Sequence, residues 1–128
     1  MLNEPKFLKC TECQMLVESL SPRCCDEMTC CGRPMELLKP NELITLEEKH
    51  LPIVKREGDN VVVCVGRLLH PMSREHNIMW VEVKSKHSRQ RVELKSGDDP
   101  IVTFHIADTG PVSVYAYCNL HGLWRSSL

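Results

Sequence analysis

Four histidines and one cysteine between residues 50 and 121 could bind a single metal ion. They are His50, His70, His76, Cys118 and His121. Structural and catalytic zinc sites usually take three or four protein ligands in a tetrahedral arrangement. Four imidazoles in a plane with a thiolate on the axis would instead leave a sixth position vacant, which a redox-active transition metal can use. The residue types therefore favour an iron site over a zinc site.

Spacing alone does not decide whether these histidines converge, since each one taken singly could belong to a polar network. Their positions favour convergence. His70 and His76 flank a proline-containing loop, and His50 precedes Pro52 where a strand would begin. Loops at strand ends can direct several side chains to one point, because the strands hold the loops in place. We therefore expect all four to meet at one site.

The amino-terminal part of the chain carries a second group of candidate ligands. Cys10-x-x-Cys13 is followed, after sixteen residues, by the adjacent pair Cys30-Cys31, which together supply four thiolates for iron or zinc. Because neighbouring side chains diverge, the adjacent pair predicts a distorted tetrahedron. A second adjacent pair, Cys24-Cys25, is an alternative source of ligands. Gly32 favours Cys30-Cys31, because backbone amides can approach sulfurs beside a glycine.

Length and composition divide the chain near residue 40. Six of the eight cysteines fall within residues 10–31, a stretch too short and too polar to fold by apolar burial alone. We therefore expect a metal-stapled domain over residues 1–40 and a larger domain over residues 41–128. The formal net charge of −1 argues against a strongly basic nucleic-acid binder.

The sequence shows neither a signal peptide nor a membrane span. Polar residues appear within the first six positions, so the basic start and apolar stretch of a signal peptide are not found there. No apolar run approaches the ~20 residues that a bilayer requires. We therefore expect a soluble cytoplasmic protein that binds neither membranes nor nucleic acid. In a reducing compartment, this pattern of cysteines is more typical of a metal site than of disulfides.

Short apolar stretches separated by turn residues predict an all-β sandwich of about seven strands. They cover residues 52–57, 61–66, 78–84, 89–95, 101–106 and 111–118. Gly58-Asp59-Asn60, between the first two, is typical of a hairpin turn. Three residues that fit neither ligand group are interpreted as structural: Cys64, His87 and His105.

The last of these stretches shows how a thiolate could enter a metal site. Val112, Val114, Ala116 and Cys118 share one face of a strand by the period-two rule. Cys118 is therefore expected on the buried face at the strand's end. His121 follows in a turn, from which its side chain can reach the same ion.

These segments closely resemble the superoxide reductases, specifically their two-iron form, desulfoferrodoxin. The first part resembles the small desulforedoxin-like domain through Lys9-Cys10-x-x-Cys13 and Cys30-Cys31-Gly32-x-Pro34-Met35. The rest resembles the neelaredoxin-like catalytic domain through Glu48-Lys49-His50-Leu51-Pro52, His70-Pro71-Met72, His76-x-Ile78-x-Trp80 and Cys118-Asn119-Leu120-His121-Gly122-x-Trp124. The resemblance covers nearly the whole chain.

The resemblance implies two iron centres. The first would be held by Cys10, Cys13, Cys30 and Cys31. The second would have Cys118 as axial ligand and four equatorial ligands: His50, His70, His76 and His121. Glu48 would close the sixth position in the oxidised state, and Lys49 would be the cation beside the open site. The family's catalytic domain is an immunoglobulin-like sandwich, and members of this form are commonly homodimers.

The activity that the resemblance implies is one-electron reduction of superoxide to hydrogen peroxide, with electrons from a rubredoxin-like carrier. Two other interpretations remain open. One is an iron-sulfur-type electron carrier without substrate chemistry, although a carrier needs no vacant position at the metal. The other is a zinc-binding interaction module built on the cysteine-rich segment. Metal analysis separates them, because zinc in the five-ligand site would eliminate the redox interpretations.

Overall fold

A computed structural model describes residues 4–21, 28–42 and 49–128 of the chain. The chain divides into two compact units, one spanning Asn3–Lys39 and the other Pro40–Leu128. Every helix or strand within the described ranges is a β-strand, which confirms the all-β prediction. Accordingly, those ranges hold no helix that is long and apolar enough to cross a membrane.

The first unit contains five short strands. They are β1 (Lys6–Lys9), β2 (Leu16–Ser19), β3 (Thr29–Cys30), β4 (Arg33–Pro34) and β5 (Glu36–Leu37). β1 lies at the centre of an antiparallel sheet between β2 and β5, while β3 and β4 form a separate hairpin. Phe7, Leu8 and Cys10 are buried. Such a small core favours stabilisation by a metal, because short domains bury too little apolar surface to fold alone.

The second unit contains seven strands in two antiparallel sheets. They are β6 (Pro52–Glu57), β7 (Asn60–Val65), β8 (Ile78–Lys84), β9 (Arg89–Glu93), β10 (Ile101–His105), β11 (Ser113–Cys118) and β12 (Gly122–Ser127). The strand order is β10-β7-β6 in one sheet and β12-β11-β8-β9 in the other. The predicted sandwich is confirmed. The predicted hairpin turn is present too, since Glu57 pairs with Asn60 across a two-residue loop.

Within the second unit, the strand that the sequence did not reveal is β12. It begins directly after the ligand turn and pairs with the whole of β11. Its two buried residues, Leu123 and Trp124, are adjacent in sequence, and polar residues follow them. An edge strand with two adjacent buried residues lacks the alternation by which strands are recognised.

The core of the second unit is rich in valine, and both sheets contribute to it. Its fully buried members include Val61, Val63, Val65, Val81, Val83, Val112, Val114, Ala116 and Cys118. Branched side chains pack well on pleated strands, which explains why valine dominates. The burial of Cys118 confirms the prediction from the period-two pattern. Its thiol therefore lies at the boundary between the packed core and the loops at the end of the sandwich.

Candidate metal centres

The five candidate ligands of the second unit lie at one end of the sandwich. His50 precedes β6, His70 and His76 lie in the loop between β7 and β8, and Cys118 and His121 border the β11–β12 turn. Strand pairing explains this convergence within each sheet. The first residue of β6 is opposite the last of β7, and the first residue of β8 is opposite the last of β11. Both sheets therefore contribute ligands to the same end.

The four imidazoles form a closed ring. Successive ring centroids are separated by 4.7 Å from His50 to His70, 4.6 Å from His70 to His76, 4.9 Å from His76 to His121 and 4.6 Å from His121 to His50. Across the ring, His50 and His76 are 6.1 Å apart. Four nearly equal sides with a longer diagonal form the arrangement that four imidazoles need in order to share one ion.

The distances between donor atoms agree with this arrangement. His50 Nε2 and His121 Nδ1 are 2.9 Å apart, and two metal–nitrogen bonds of about 2.0–2.1 Å at a right angle would place their nitrogens about 2.9 Å apart. One ligand atom each of His50, His76, Cys118 and His121 lies within 4.8 Å of the other three. His70 is outside this tighter group, although its ring adjoins those of His50 and His76.

Two ring nitrogens of the group are buried without a hydrogen-bond partner. They are Nε2 of His70 and Nε2 of His76. The Nδ1–H of His70 donates to the Pro71 carbonyl at 2.7 Å, which makes its Nε2 the nitrogen with a free lone pair. Leaving a buried polar atom unpaired costs about 1–3 kcal/mol. A metal ion would give both nitrogens the partner they lack, so the donor set fits such a group.

Burial keeps these two histidines neutral. The pKa of His70 is lowered from 6.5 to about 4, mainly by burial and to a smaller extent by the nearby rings of His50, His76 and His121, against the opposing effect of the Pro71 carbonyl. Burial is also the main cause of the lowered pKa of His76. Imidazole binds metals in its neutral form, so neither residue has to lose a proton at neutral pH before it can bind one.

The ligands range from fully buried to solvent-exposed. Cys118 has an exposed fraction of 0% and His70 of 3%, whereas His121 and the neighbouring Lys49 are exposed. The thiol is thus shielded by the core, while part of the ring formed by the four imidazoles is open to solvent. A small anion could reach the group from that open part without any movement of the core.

Trp124 contacts two of the histidine residues from outside the ring, one through its imidazole and the other through its backbone. Its indole stacks on His50, with ring centroids 4.8 Å apart and an interplanar angle of 14°. Its Nε1–H donates to the backbone carbonyl of His121 at 3.2 Å. Trp124 belongs to the motif that begins at Cys118, but no role was predicted for it from the sequence. The regular spacing of Cys118, His121 and Trp124, three residues apart, was the available signal.

The first unit brings together Cys10, Cys13, Cys30 and Cys31, whose sulfurs all lie within 4.8 Å of one another. The sulfurs of Cys13 and Cys30 are 3.6 Å apart, and those of Cys30 and Cys31 are 3.9 Å apart. A tetrahedral ion with metal–sulfur bonds of about 2.3 Å requires sulfurs about 3.8 Å apart. The geometry therefore fits a four-sulfur metal site.

A tight turn lets two adjacent cysteines face the same point. Cys30 ends β3 and pairs with Arg33, so Cys31 and Gly32 form a two-residue loop. Both have positive φ, 54° for Cys31 and 73° for Gly32, as a type I′ hairpin turn requires. Cys31 thus adopts a backbone conformation that non-glycine residues rarely take. The reversal of the chain between the two residues offsets the divergence expected of neighbouring side chains.

The protonation of these thiols is uneven. The backbone N–H of Cys13 donates to the sulfur of Cys10, and this is the main cause that lowers the pKa of Cys10 from 9.0 to about 7. Hydrogen bonding with Cys10 and then Cys13 raises the pKa of Cys30 to about 12. Hydrogen bonding within the four cysteines thus favours ionisation of Cys10 and opposes ionisation of Cys30. A cation at the centre would stabilise all four as thiolates, which is the form that binds metals.

The remaining residues of the sequence analysis either lie outside the described part of the chain or belong to neither group. The candidate residue Glu48 and the alternative pair Cys24-Cys25 lie outside the described residues. Cys64 is half-buried in β7. His87 and His105 are exposed.

Comparisons with known proteins match the whole chain. A family model described as desulfoferrodoxin matches residues 42–127. The desulfoferrodoxin of Syntrophotalea carbinolica is 40% identical over 126 residues, which cover 98% of each chain. The solved superoxide reductase of Treponema pallidum is 30% identical with a TM-score of 0.81, covering 97% of this chain and 98% of that one. A superoxide reductase of Giardia intestinalis named as a 1Fe form has a TM-score of 0.56 at 26% identity, and covers 64% of this chain and 98% of its own.

Gly66 determines how closely the segment that carries His50 can approach the end of β7. Its φ is 89°, and a Cβ added there would overlap the carbonyl oxygens of Lys49 and Leu68 and lie 2.8 Å from the carbonyl carbon of Lys49. Its own N–H donates to the Leu51 carbonyl at 3.0 Å. Because these neighbours are backbone atoms, they cannot move aside as a flexible side chain could.

We predict that Gly66→Ala displaces the Lys49–Leu51 backbone. It should destabilise the second unit by about 2 kcal/mol or more, since the strained φ and the overlap both contribute. It should also reduce metal binding at the histidine group, the site formed by His50, His70, His76, Cys118 and His121. Chemical unfolding followed by tryptophan fluorescence measures the stability, because both tryptophans, Trp80 and Trp124, lie in this unit.

Gly97→Ala is the matched control for this prediction. Gly97 has a φ of 90°, but a Cβ there would meet nothing within 4 Å. This variant should therefore lose only about 1 kcal/mol from the strained φ. Equal stability and equal metal binding in the two variants would contradict the proposed role of Gly66.

Proposed function

Because the chain belongs to the desulfoferrodoxin family, we propose that it is a superoxide reductase and that the His/Cys group is its active site. In the overall reaction, one superoxide takes up one electron and two protons and becomes hydrogen peroxide. The observation that carries the proposal is the closed ring of four imidazoles, open to solvent in part and joined by a buried thiol.

The ligands that we propose for the active-site iron are His50, His70, His76, Cys118 and His121. Ferrous iron held by them would supply the electron that superoxide takes up. The support for this set is the ring of imidazoles, the two unpartnered buried nitrogens and the proximity of the Cys118 sulfur. Neutral imidazoles contribute no charge, so the thiolate of Cys118 is the anionic ligand of the set.

Cys118 suits this role in two ways. Its thiolate would donate electron density to an iron held by these residues, as a cysteine ligand does in haem proteins. Oxidation of a cysteine by peroxide requires access to its sulfur. Cys118 is fully buried, so peroxide that forms at the solvent-exposed part of the group does not meet the thiolate directly.

Lys49 and Glu48 are the two residues that we propose to act on the substrate side. Lys49 is exposed and directly precedes His50, so its ammonium group is available to attract a small anion. Glu48 is proposed to close the open position in the oxidised state. The role of Glu48 is supported by the resemblance of the motif Glu48-Lys49-His50-Leu51-Pro52 to the family. Protons can come from solvent, because His121 and Lys49 are both exposed.

For the first unit, we propose a second iron held by Cys10, Cys13, Cys30 and Cys31. It would serve as an electron relay or reservoir, or simply staple the small domain. Residues 1–40 would then form the desulforedoxin-like domain and residues 41–128 the catalytic domain. We further propose a rubredoxin-like electron donor and a homodimeric assembly, which follow from the family resemblance. We also propose a cytoplasmic location, where a reducing environment keeps cysteines available as metal ligands.

Replacing Cys118 tests the assignment of the active site. We predict that Cys118→Ser loses the iron of the histidine group, the visible absorption of that iron, and superoxide reduction. The iron of the first unit should remain, because its ligands lie in a separate compact unit. Pulse-generated superoxide with optical detection measures the activity, and metal analysis measures the iron.

Cys64→Ser is the control for Cys118→Ser, because Cys64 is half-buried and belongs to neither ligand group. It should keep both irons and full activity. Superoxide reduction that survived in Cys118→Ser at the normal rate would rule out the proposed site.

Lys49→Ala tests electrostatic attraction of the substrate. Steering by charged clefts changes association rates by roughly 10- to 1,000-fold, and for one lysine we predict a loss at the lower end, about tenfold. The dependence of the rate constant on ionic strength should also weaken. Iron binding and the iron absorption spectrum should be unchanged, since Lys49 is not a proposed ligand.

Lys86→Ala provides the matched control for Lys49→Ala. Lys86 is also exposed, but it follows the far end of β8. The seven residues of β8 place it about 20 Å from the loop that carries His76. This variant should keep the rate and its salt dependence. A Lys49→Ala rate equal to that of Lys86→Ala would exclude steering by Lys49.

A pair of double variants tests the ligands of the first unit. We predict that replacing Cys30 and Cys31 with serine removes the first iron and leaves the second, because these two sulfurs complete the four-sulfur group. Replacing Cys24 and Cys25 with serine should leave both irons bound. Metal analysis and visible spectra distinguish the two centres. Loss of the first iron only in the Cys24/Cys25 variant would reverse the assignment.

A further inference from the structure

Asn119 lies in the β11–β12 turn, between the proposed ligands Cys118 and His121, and its side chain spans the backbone on either side of His76. Its Nδ2–H donates to the Glu75 carbonyl at 2.9 Å, and its Oδ1 accepts the Asn77 N–H at 3.0 Å. Its backbone N–H also donates to the Asn77 carbonyl, at 3.2 Å. Three hydrogen bonds therefore join this turn to the two neighbours of His76.

We propose that Asn119 is a positioning residue that holds His76 in register with the Cys118–His121 turn and thereby sets the geometry of the active-site iron. This inference rests on the proposed function, because it takes His76, Cys118 and His121 as ligands of one ion. The hydrogen bonds of Asn119 reach the backbone beside His76 rather than its imidazole. Asn119 acts through the backbone from which the imidazole extends.

The strand pairing shows why such a connection is needed at this point. β11 pairs regularly with β8 as far as Tyr117 opposite Trp80, but Cys118 is then opposite Ile78, so the register shifts by one residue. A bulge of this kind disrupts the ladder locally. Beyond it, the loop that carries His76 has left the sheet. One backbone bond, from the Asn119 N–H to the Asn77 carbonyl, continues past the bulge, and the side chain of Asn119 adds two more.

The loop is held together separately by its own side chains. Ser73 Oγ donates to the His76 carbonyl and accepts the His76 N–H, at 3.2 and 3.1 Å. Asn77 Nδ2 donates to the carbonyls of Ser73 and Arg74, at 2.9 and 3.3 Å. These contacts hold residues 73–77 as one piece but do not reach the β11–β12 turn. Asn119 supplies side-chain hydrogen bonds between the piece and the turn.

The chemistry of the amide explains the residue type. The side chain at this position must accept a hydrogen bond from one backbone N–H and donate one to a backbone carbonyl. A primary amide does both, whereas an ionised carboxylate has acceptors alone and a methyl group has neither. Aspartate at position 119 would keep the bond from the Asn77 N–H and turn an oxygen towards the Glu75 carbonyl.

The experiment compares Asn119→Ala and Asn119→Asp with the native full-length chain. Ferrous iron is the probe, its affinity for the histidine group is measured by competition with a chelator, and the ferric state is examined by electron paramagnetic resonance and visible absorption. Residues that orient ligands typically contribute about 10- to 100-fold to metal affinity. We expect a loss in that range for both variants, with a shifted resonance and a shifted thiolate-to-iron absorption band.

Hydrogen exchange of the Asn77 amide in the iron-free chain gives a readout that is independent of metal and activity. Exchange should accelerate in Asn119→Ala, because the acceptor is gone, and should stay slow in Asn119→Asp, which keeps it. Gln90→Ala is the matched control. Its Nε2 also donates to a backbone carbonyl at 2.9 Å, that of His105, in the same unit but away from the site. The control should leave iron affinity, spectra and Asn77 exchange unchanged.

The outcomes separate this inference from the proposed function. Native affinity and native ferric spectra in Asn119→Ala, or unchanged Asn77 exchange, would overturn the role of Asn119 even if the native chain reduces superoxide. Failure of the native chain to reduce superoxide would overturn the proposed function. A variant whose affinity falls without any spectral shift would mean a general loss of stability rather than positioning, and would also overturn the inference.

Discussion

The unpaired nitrogens of His70 and His76 impose the constraint around which the second unit is organised. Each is buried with no hydrogen-bond partner, and each such atom costs about 1–3 kcal/mol. Burial and, to a smaller extent, the neighbouring imidazoles lower the pKa of His70 to about 4, so its ring stays neutral at neutral pH. A cation shared by the ring removes both costs at once. The stability of this end of the sandwich and its chemistry therefore depend on the same interaction.

The rest of the fold can be understood as a frame for that interaction. The valine core fixes two sheets whose loops meet at one end, and each sheet contributes ligands. Three residues outside the ligand set then refine the geometry. Gly66 allows the His50 segment to approach β7, Trp124 stacks on His50, and Asn119 brackets His76. Outer residues of this kind orient ligands and influence metal affinity as strongly as many direct contacts do.

Local sequence patterns predicted the features that depend on neighbouring residues. The alternation along β11 placed Cys118 on the buried face, and the turn residues near 58–60 gave the first hairpin correctly. The two groups of ligands were identified from residue types, from spacing and above all from the family resemblance. Gly32 favoured Cys30-Cys31 over the alternative pair, and the resemblance implied the same two ligands.

The features that the sequence did not reveal depend on long-range register. Asn119 and Asn77 are 42 residues apart, and His50 and His121 are 71 apart. No local pattern encodes which loop a side chain will meet at that distance. β12 was missed because its buried residues are adjacent rather than alternating. The positive φ of Cys31 was missed for a local reason, because the two-residue turn between Cys30 and Arg33 places a cysteine where glycine, asparagine or aspartate is usual.

The yield of hydrogen peroxide per superoxide tests the central claim most directly. The measurement uses the full-length chain with iron in both sites, reduced beforehand, and counts the peroxide formed against the superoxide consumed. A reductase gives one peroxide for each superoxide and oxidises one iron for each. A dismutase gives one peroxide for every two superoxides and releases oxygen. We predict one peroxide for each superoxide. One peroxide for every two superoxides, or zinc in the histidine group of the native protein, would contradict the proposed function.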